Sequence, residues 1–180
     1  MRRRAAAILL SLLCTLAVVV VFGACGAEEE ETEVAEGEPI EVAGLEYNIQ
    51  LTRFLNPDDN EDAEYLVGQP PAEPGNSYLG VFLTIANETD VARPSAEEYI
   101  VTDTLGTEYE VLESESPYAL ELSAEVPAEA ELPLPDTTAQ TGPNQGSLLI
   151  FGVSDDVSEN RPLRLAIEAV DDTGEVILDI

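Results

Sequence analysis

The sequence predicts an all-β fold, a β-sandwich of two sheets with about seven or eight strands. Three observations carry this prediction. Apolar residues after position 40 alternate with polar ones at a period of two, as in strands that bury one face. Clusters of Asp, Asn, Gly and Pro separate the alternating runs. After Cys25 the sequence shows no capped amphipathic helix of ten residues.

The apolar runs give the strands in chain order. The first places Tyr47, Ile49 and Leu51 on one face. Residues 148–151 form an unbroken apolar run, which is typical of a strand that is buried on both faces. The predicted strands are centred on residues 47–51, 78–85, 99–101, 109–111, 148–151, 163–169 and 176–180.

Turn-forming residues define the connections between these strands. Asp103 and Gly106 are predicted to make a tight turn, and Asn87 is predicted to end its strand with its side chain bonded to the backbone of the next turn. The run Asp171-Asp172-Thr173-Gly174 predicts a hairpin connection with its glycine late in the loop.

The N-terminus has the three-part order of an export signal. Arg2, Arg3 and Arg4 precede an apolar run from Ala5 to Phe22, and small residues follow. Residues 1–24 are therefore predicted to form a signal-peptide helix. The apolar run is also long enough to span a bilayer, so an uncleaved N-terminal anchor is the alternative.

The residues at the end of this segment, Phe22-Gly23-Ala24-Cys25, resemble the lipobox of bacterial lipoproteins. The family usually has Leu, Val or Ile where this chain has Phe22. The resemblance implies that the Cys25 thiol carries a diacylglyceryl group with palmitate-like chains, and that cleavage precedes Cys25. It implies a protein anchored to the extracytoplasmic face of the cell membrane.

An acidic segment follows the lipidation cysteine. It carries seven glutamates and only small apolar residues. Like charges at this density keep a chain extended, so residues 25–39 are predicted to be a disordered tether and residues 40–180 the folded domain. An acidic tail that binds cations or a partner is the alternative. The glutamates are Glu28, Glu29, Glu30, Glu31, Glu33, Glu36 and Glu38.

Composition excludes several functions. The chain has 37 acidic residues, 7 basic residues and no histidine, with a formal net charge of -30. The lack of histidine excludes Ser-His and Cys-His nucleophile pairs. The negative charge disfavours nucleic acid as a partner. The second cysteine, Cys14, leaves with the signal peptide, so a lipidated Cys25 would leave no free thiol.

One acidic loop has the spacing of a cation site. Asp58, Asn60 and Asp62 occupy places 1, 3 and 5 of the loop pattern that surrounds calcium in EF-hands. Ala63 and Gln69 replace the glycine and the bidentate glutamate of that pattern, which excludes an EF-hand. A weaker calcium site is one hypothesis, and a solvated acidic loop is the other.

The domain resembles the telokin-like, immunoglobulin-like domain of unknown function found in many bacterial lipoproteins and in a secreted mycobacterial antigen. The resemblance lies in the strand from Gly75 to Asn87, the Asp103–Gly106 turn and the returning Tyr109. It extends to the glycine-led strand Gly146–Phe151 and to Leu163-Arg164-Leu165. It implies an immunoglobulin-like two-sheet sandwich and supplies no catalytic residues.

The sequence therefore predicts a lipid-anchored extracytoplasmic binding or accessory module that is not an enzyme. Its expected partners are the membrane and an extracytoplasmic protein or wall component, and it needs no cofactor besides the covalent lipid. A calcium-dependent adhesion or wall-associated module is the alternative. A small hydrolase that uses paired carboxylates is a third hypothesis.

Overall fold

This computed structural model describes residues 33–180 of the chain. This part contains twelve strands and three short helical segments. The helical segments are α1 (Asn60–Tyr65), α2 (Thr138–Thr141) and a 3-10 helix (Asp155–Glu159). The strands are β1 (Glu33–Ala35), β2 (Ile40–Val42), β3 (Leu45–Leu55), β4 (Asn76–Asn87), β5 (Arg93–Pro94), β6 (Glu98–Thr102), β7 (Glu108–Glu110), β8 (Glu125–Val126), β9 (Ala130–Leu132), β10 (Ser147–Ser154), β11 (Leu163–Ala169) and β12 (Asp172–Leu178).

The strands form two main sheets, which confirms the predicted all-β sandwich. The first sheet has the order β1-β12-β11-β6-β7. The second has the order β10-β4-β3-β2, with β9 also paired to β4, and β5 pairs with β8 in a small third sheet. Strands β1 and β12 run parallel, and the other pairs are antiparallel. The seven predicted strands correspond to β3, β4, β6, β7, β10, β11 and β12.

Strand β4 is buried on both of its faces. Leu79, Val81, Leu83 and Ile85 point into the main core, to which both sheets contribute. The alternate residues, among them Phe82, point into a second apolar cluster on the other face of the β10-β4-β3 sheet. The predicted division of this strand into two faces is confirmed, and the second cluster explains why the polar alternation is weak here.

A β-bulge in β3 changes which face its residues occupy. Ile49 pairs with Leu83 and Leu51 pairs with Phe82, so Gln50 is the extra residue. Leu51 consequently packs against the second cluster rather than beside Ile49. Thr52, which alternation places on the outside, is buried. The predicted single face for Tyr47, Ile49 and Leu51 is therefore wrong beyond the bulge.

The last hairpin turns two residues earlier than its glycine suggested. Ala169 pairs with Asp172, so Val170 and Asp171 form the turn, and Asp171 has a positive φ of 66°. Gly174 lies inside β12. A Cβ at this position would lie 2.7 Å from Cγ2 of Val42, which belongs to the other sheet. Gly174 therefore allows close approach between the sheets instead of forming the turn.

The chain begins to fold before residue 40. Val34 in β1 pairs with Val176 and is buried. The Glu36 carboxylate accepts hydrogen bonds from the Thr52 N–H and the Asp179 N–H, each at 2.9 Å. Thr52 belongs to β3 of the second sheet, and Asp179 directly follows β12 of the first. Glu36 therefore bridges the two sheets.

This observation corrects the predicted tether. Residues 33–39 belong to the folded domain, because β1 buries an apolar side chain and pairs with β12. The repulsion between the glutamates, on which the predicted tether rested, does not keep this part of the chain extended and free. The predicted signal peptide, Cys25 and residues 26–32 of the predicted tether lie outside the described residues.

Candidate functional site

The predicted acidic loop contains a short helix. Asp59 is the N-cap of α1, and its carboxylate accepts hydrogen bonds from the Glu61 N–H at 2.8 Å and the Asp62 N–H at 3.4 Å. Asp58 and Asn60 are exposed, whereas Asp62 is only 5% exposed. The alternative of a solvated acidic loop is therefore wrong for Asp62.

Asp62 is bound to Arg53 on the neighbouring strand β3. Both guanidinium ends donate to the carboxylate, with Nη1 3.0 Å from Oδ2, and the Asn56 N–H donates to Oδ2 at 2.7 Å. Burial raises the pKa of the Asp62 carboxyl, but the bonds from Arg53 and Asn56 outweigh it and hold that pKa below its ordinary value. Asp62 thus fastens α1 to the sheet.

Replacing Asp62 with asparagine is expected to lower the free energy of unfolding at pH 7 by about 2 kcal/mol, because Arg53 loses its buried acidic partner and keeps only the exposed Glu61, 3.9 Å away. The folded-state pKa of Asp62 is depressed, so its contribution is present above the unfolded value of about 4 and is lost as pH falls through the folded value. Urea unfolding of both proteins between pH 7 and pH 2.5 measures this difference.

The matched control for that experiment is Asp58→Asn, which makes the same chemical change at an exposed position of the same loop. We expect it to change the free energy of unfolding by less than about 0.5 kcal/mol. A difference between wild type and Asp62→Asn that stays constant down to pH 2.5 would show that the ion pair is not its source.

The calcium hypothesis rests on residues that the structure now places. Asp62 directs both oxygens to Arg53 and Asn56, and Asp58 and Asn60 lie on the exposed side of the α1 start. Within residues 33–180, no group of three acidic, cysteine or histidine side chains is arranged to hold a metal ion. Calcium binding stays an untested prediction that this geometry does not strengthen.

The tyrosines of the domain serve packing. Tyr65 on α1 makes edge-to-face contacts with Phe82 and Tyr118, at ring-centroid distances of 5.1 and 4.7 Å. The Asn144 side chain donates to the Tyr65 hydroxyl at 2.9 Å. Tyr109 is half-buried and the other five tyrosines are buried, so none presents an open ring face for a sugar.

A concave slot lies beside β10. The segment 111–120 pairs with the free edge of β10, first antiparallel at Val111 and then parallel at Ala119. Because the direction of pairing reverses, the segment between Val111 and Ala119 leaves β10 and then returns to it. The slot lies where this segment leaves the strand. Hydrogen bonds hold its two sides, from the Leu112 N–H to the Ile150 carbonyl at 2.8 Å and from the Leu120 N–H to the Leu148 carbonyl at 2.9 Å.

The slot has a volume of about 360 Å³, within the range of small-ligand sites. Seven of its nine lining residues are aliphatic, and Leu122 is 41% exposed, but nearly half of the surface that the slot exposes is polar. Glu113, Glu115 and Glu121 are exposed around it, and none forms an ion pair with the described arginines. The lining residues are Val111, Leu112, Glu113, Ser114, Ala119, Leu120, Leu122, Leu148 and Leu149.

A second cavity, of about 300 Å³, lies at the β2–β3 turn. Its Arg93 donates from Nε to Thr89 Oγ1 at 3.3 Å and from Nη1 to the Ala43 carbonyl at 3.4 Å. Arg93 thereby joins two loops at this end of the sandwich. The other lining residues include Glu41, Glu46 and Glu88, and this is a structural junction rather than a recognisable catalytic arrangement.

The predicted lipid-attachment residue, Cys25, lies outside the described residues. Among the helices of residues 33–180, none is long and apolar enough to cross a membrane. Sequence reasoning missed the slot, because main-chain pairing along β10 builds it and no motif encodes it. The apolar run at 148–151 was its only trace in the sequence.

Strand order and the two-layer core define the domain as a two-sheet β-sandwich, and comparison with solved structures agrees. The chain is similar to a secreted protein from Mycobacterium tuberculosis, MPT63, with 10% identity, a TM-score of 0.53 and coverage of 83% of this chain and 98% of that one. It is similar to the yjhA protein from Bacillus subtilis, with 12% identity, a TM-score of 0.51 and coverage of 81% and 98%.

A third similar structure is an uncharacterized β-sandwich protein from Clostridium difficile, with 16% identity, a TM-score of 0.50 and coverage of 83% and 95%. No protein-family model matches the chain, and no curated protein sequence is significantly similar to it. At these identities the likeness establishes the fold alone. The immunoglobulin-like sandwich that the resemblance implied is thus supported as a fold.

Proposed function

We propose that the protein is a lipid-anchored binding module on the extracytoplasmic face of the cell membrane. The observation that carries the proposal is the order of the N-terminal sequence: three arginines, an apolar run, and small residues directly before Cys25. A diacylglyceryl group with a further acyl chain gives durable membrane binding, which a single chain does not.

The slot beside β10 supports the binding role. Most of its lining residues are aliphatic, it has the volume of a ligand site, and Glu113, which forms no ion pair with the described arginines, lines it. We propose that it takes an apolar group next to a positive charge, as in a basic peptide segment with one aliphatic side chain. The charge attracts the ligand at long range and the apolar contact selects it.

The anchor is tested by replacing Cys25 with serine in the full chain. We expect the wild-type protein to be recovered with membranes after a high-salt wash, as a processed and lipidated form. The Cys25→Ser protein should keep its signal peptide and carry no lipid. Equal processing and equal lipid labelling of both proteins would contradict the proposal.

The binding role of the slot is tested by cross-linking in cells that produce the full chain. A photo-reactive amino acid is placed at position 122, and in a control at position 105, because both leucines are exposed. We expect one defined cross-linked species from position 122 that an excess of a lysine-flanked leucine peptide suppresses, and none from position 105. Equal patterns from the two positions would contradict the binding role of the slot.

A further inference from the structure

The two main sheets differ on the faces that point away from the main core. The second apolar cluster covers that face of the second sheet over β10, β4 and β3, and Tyr65 of α1 and Tyr118 belong to the covering layer. No residue of the first sheet belongs to this cluster. Every outward side chain of the first sheet is partly or fully exposed among the described residues. We call this surface the first-sheet face (the outward side chains of β1, β12, β11, β6 and β7).

The centre of the first-sheet face is apolar. Ile100 of β6 lies directly opposite Ala166 of β11. Ile177 of β12 is on the same face, two residues beyond Glu175, which pairs with Ala166. The three apolar side chains are half-buried, and they belong to neither apolar cluster of the domain. They therefore form a patch that no described residue covers.

Glutamates border this patch on two sides. Glu98 and Glu168 lie directly opposite each other on β6 and β11, and Glu110 of β7 lies opposite Ile100. Glu108 is on the same side of β7. None of these four glutamates forms an ion pair with a described arginine. Since like charges directly opposite each other on neighbouring strands repel, the pair on β6 and β11 gains from a positive charge that a partner brings.

The arginine of this face has no positive charge to spare. Arg164 on β11 forms ion pairs with both Glu33 of β1 and Glu175 of β12. Two carboxylates thus bind one guanidinium and hold β1 beside the sheet. The uncompensated negative charge lies on the other half of the face, along β6 and β7.

The dimensions of the face suit a protein surface. Strands lie about 4.8 Å apart and rise about 3.3 Å per residue, so five strands and the length of β11 give a face of about 20 Å by about 20 Å. This is the size of a small, transient protein interface. A second copy of the chain does not fit, because it would bring the same glutamates together. The acidic residues 28–31 of this chain are repelled for the same reason.

We propose that the first-sheet face is a docking surface for a basic protein. The partner covers the apolar patch at Ile100, Ala166 and Ile177, and its lysine or arginine side chains lie beside Glu98 and Glu168. Charge complementarity speeds the encounter and excludes acidic partners, and the apolar centre holds the complex together. The inference depends neither on the lipid anchor nor on the slot beside β10.

The test measures binding of a fluorescent peptide with a valine-rich centre and lysines at both ends. The full chain is purified in a non-ionic detergent, and anisotropy is recorded in about 50 mM sodium chloride, where screening is weak. We expect the double variant Glu98→Gln and Glu168→Gln to raise the dissociation constant at least about fivefold, because two partner charges lose their carboxylates.

The matched control is the double variant Glu41→Gln and Glu46→Gln. These exposed glutamates also lie directly opposite each other, on the outer side of the second sheet, and their replacement changes the net charge by the same amount. We expect the dissociation constant to change by less than about twofold. Equal weakening in both double variants would show that the peptide follows net charge alone. No weakening in either would show that it binds elsewhere, and each result would overturn the proposal.

The apolar centre is tested with a second peptide in which threonine replaces valine. We expect it to bind the wild-type chain at least about threefold more weakly than the valine peptide, because it buries less apolar surface. The Ile100→Thr protein should bind the two peptides equally, and thermal melting checks that this variant is folded. If it is not, the comparison on the wild-type chain decides. Equal binding of both peptides by wild type would overturn the role of the patch.

Discussion

Replacing Asn87 with alanine is expected to lower the free energy of unfolding by about 3 kcal/mol. Asn87 is 1% exposed at the end of β4. Its Nδ2 donates to the Val91 carbonyl at 2.8 Å and to the Val126 carbonyl at 3.0 Å, and its Oδ1 accepts from Thr89 N and Thr89 Oγ1 at 3.0 and 2.7 Å. Alanine removes the Asn87 bonds to the Val126 carbonyl and the Thr89 N–H, whereas the Val91 carbonyl keeps a bond from Thr89 Oγ1 at 3.0 Å. A buried group left unpaired costs about 1–3 kcal/mol.

A matched control is Asn48→Ala on the adjacent strand β3. The Asn48 Oδ1 is buried and has no hydrogen-bond partner, so its removal relieves an unpaired acceptor. We expect this variant to stay within about 1 kcal/mol of wild type. Urea unfolding measures both variants, and equal losses would show that the hydrogen bonds of Asn87 are not what holds this corner.

Removing residues 33–38 is expected to lower the free energy of unfolding by about 2–4 kcal/mol. The deletion takes away the buried Val34 and uncovers Val176. It also unpairs the Ile177 carbonyl, which accepts from the Glu36 N–H at 2.9 Å, and the two N–H groups that the Glu36 carboxylate bridges.

The comparison is between chains that begin at Glu33 and at Pro39, melted in 0.5 M sodium chloride. High salt is used because the deletion also removes negative charges, whose repulsion opposes folding. We expect a melting temperature lower by about 10 °C for the shorter chain. Equal melting temperatures would mean that β1 does not stabilise the fold. They would also mean that residues 40–180, as predicted from the sequence, suffice for full stability.

The long strands could be predicted because each buries a face that its own residues encode. The runs around Leu79, Leu149 and Leu165 show this, and all three residues lie in the main core. The strand-leading glycine of the family resemblance, Gly146, also has a physical reason. Its φ is 116°, and a Cβ there would lie 2.9 Å from the backbone of Leu83.

Features that depend on a partner strand could not be predicted. The bulge at Gln50 changes the face of β3 because of its pairing with β4, and Gly174 is needed because Val42 of the other sheet approaches it. Strand β1 is three residues long and acidic, so neither alternation nor hydropathy marks it. Its pairing with β12 is visible only in three dimensions.

The same limit applies to the candidate site. The spacing of Asp58, Asn60 and Asp62 suggests a cation, but Arg53 on a different element binds Asp62. The slot arises from the reversal of segment 111–120 along β10, which no residue pattern specifies. The prediction for Cys25 depends on no partner strand, because a lipidation sequence is read by enzymes as a linear motif, and it stays a prediction.

The most direct test of the lipid-anchored module is the mass of the N-terminal peptide of the protein purified from membranes. We expect a peptide that begins at Cys25 and carries a diacylglyceryl group on its thiol, with Gly26 as its second residue. A peptide that begins elsewhere, or one that carries Cys25 as a free thiol, would contradict the account.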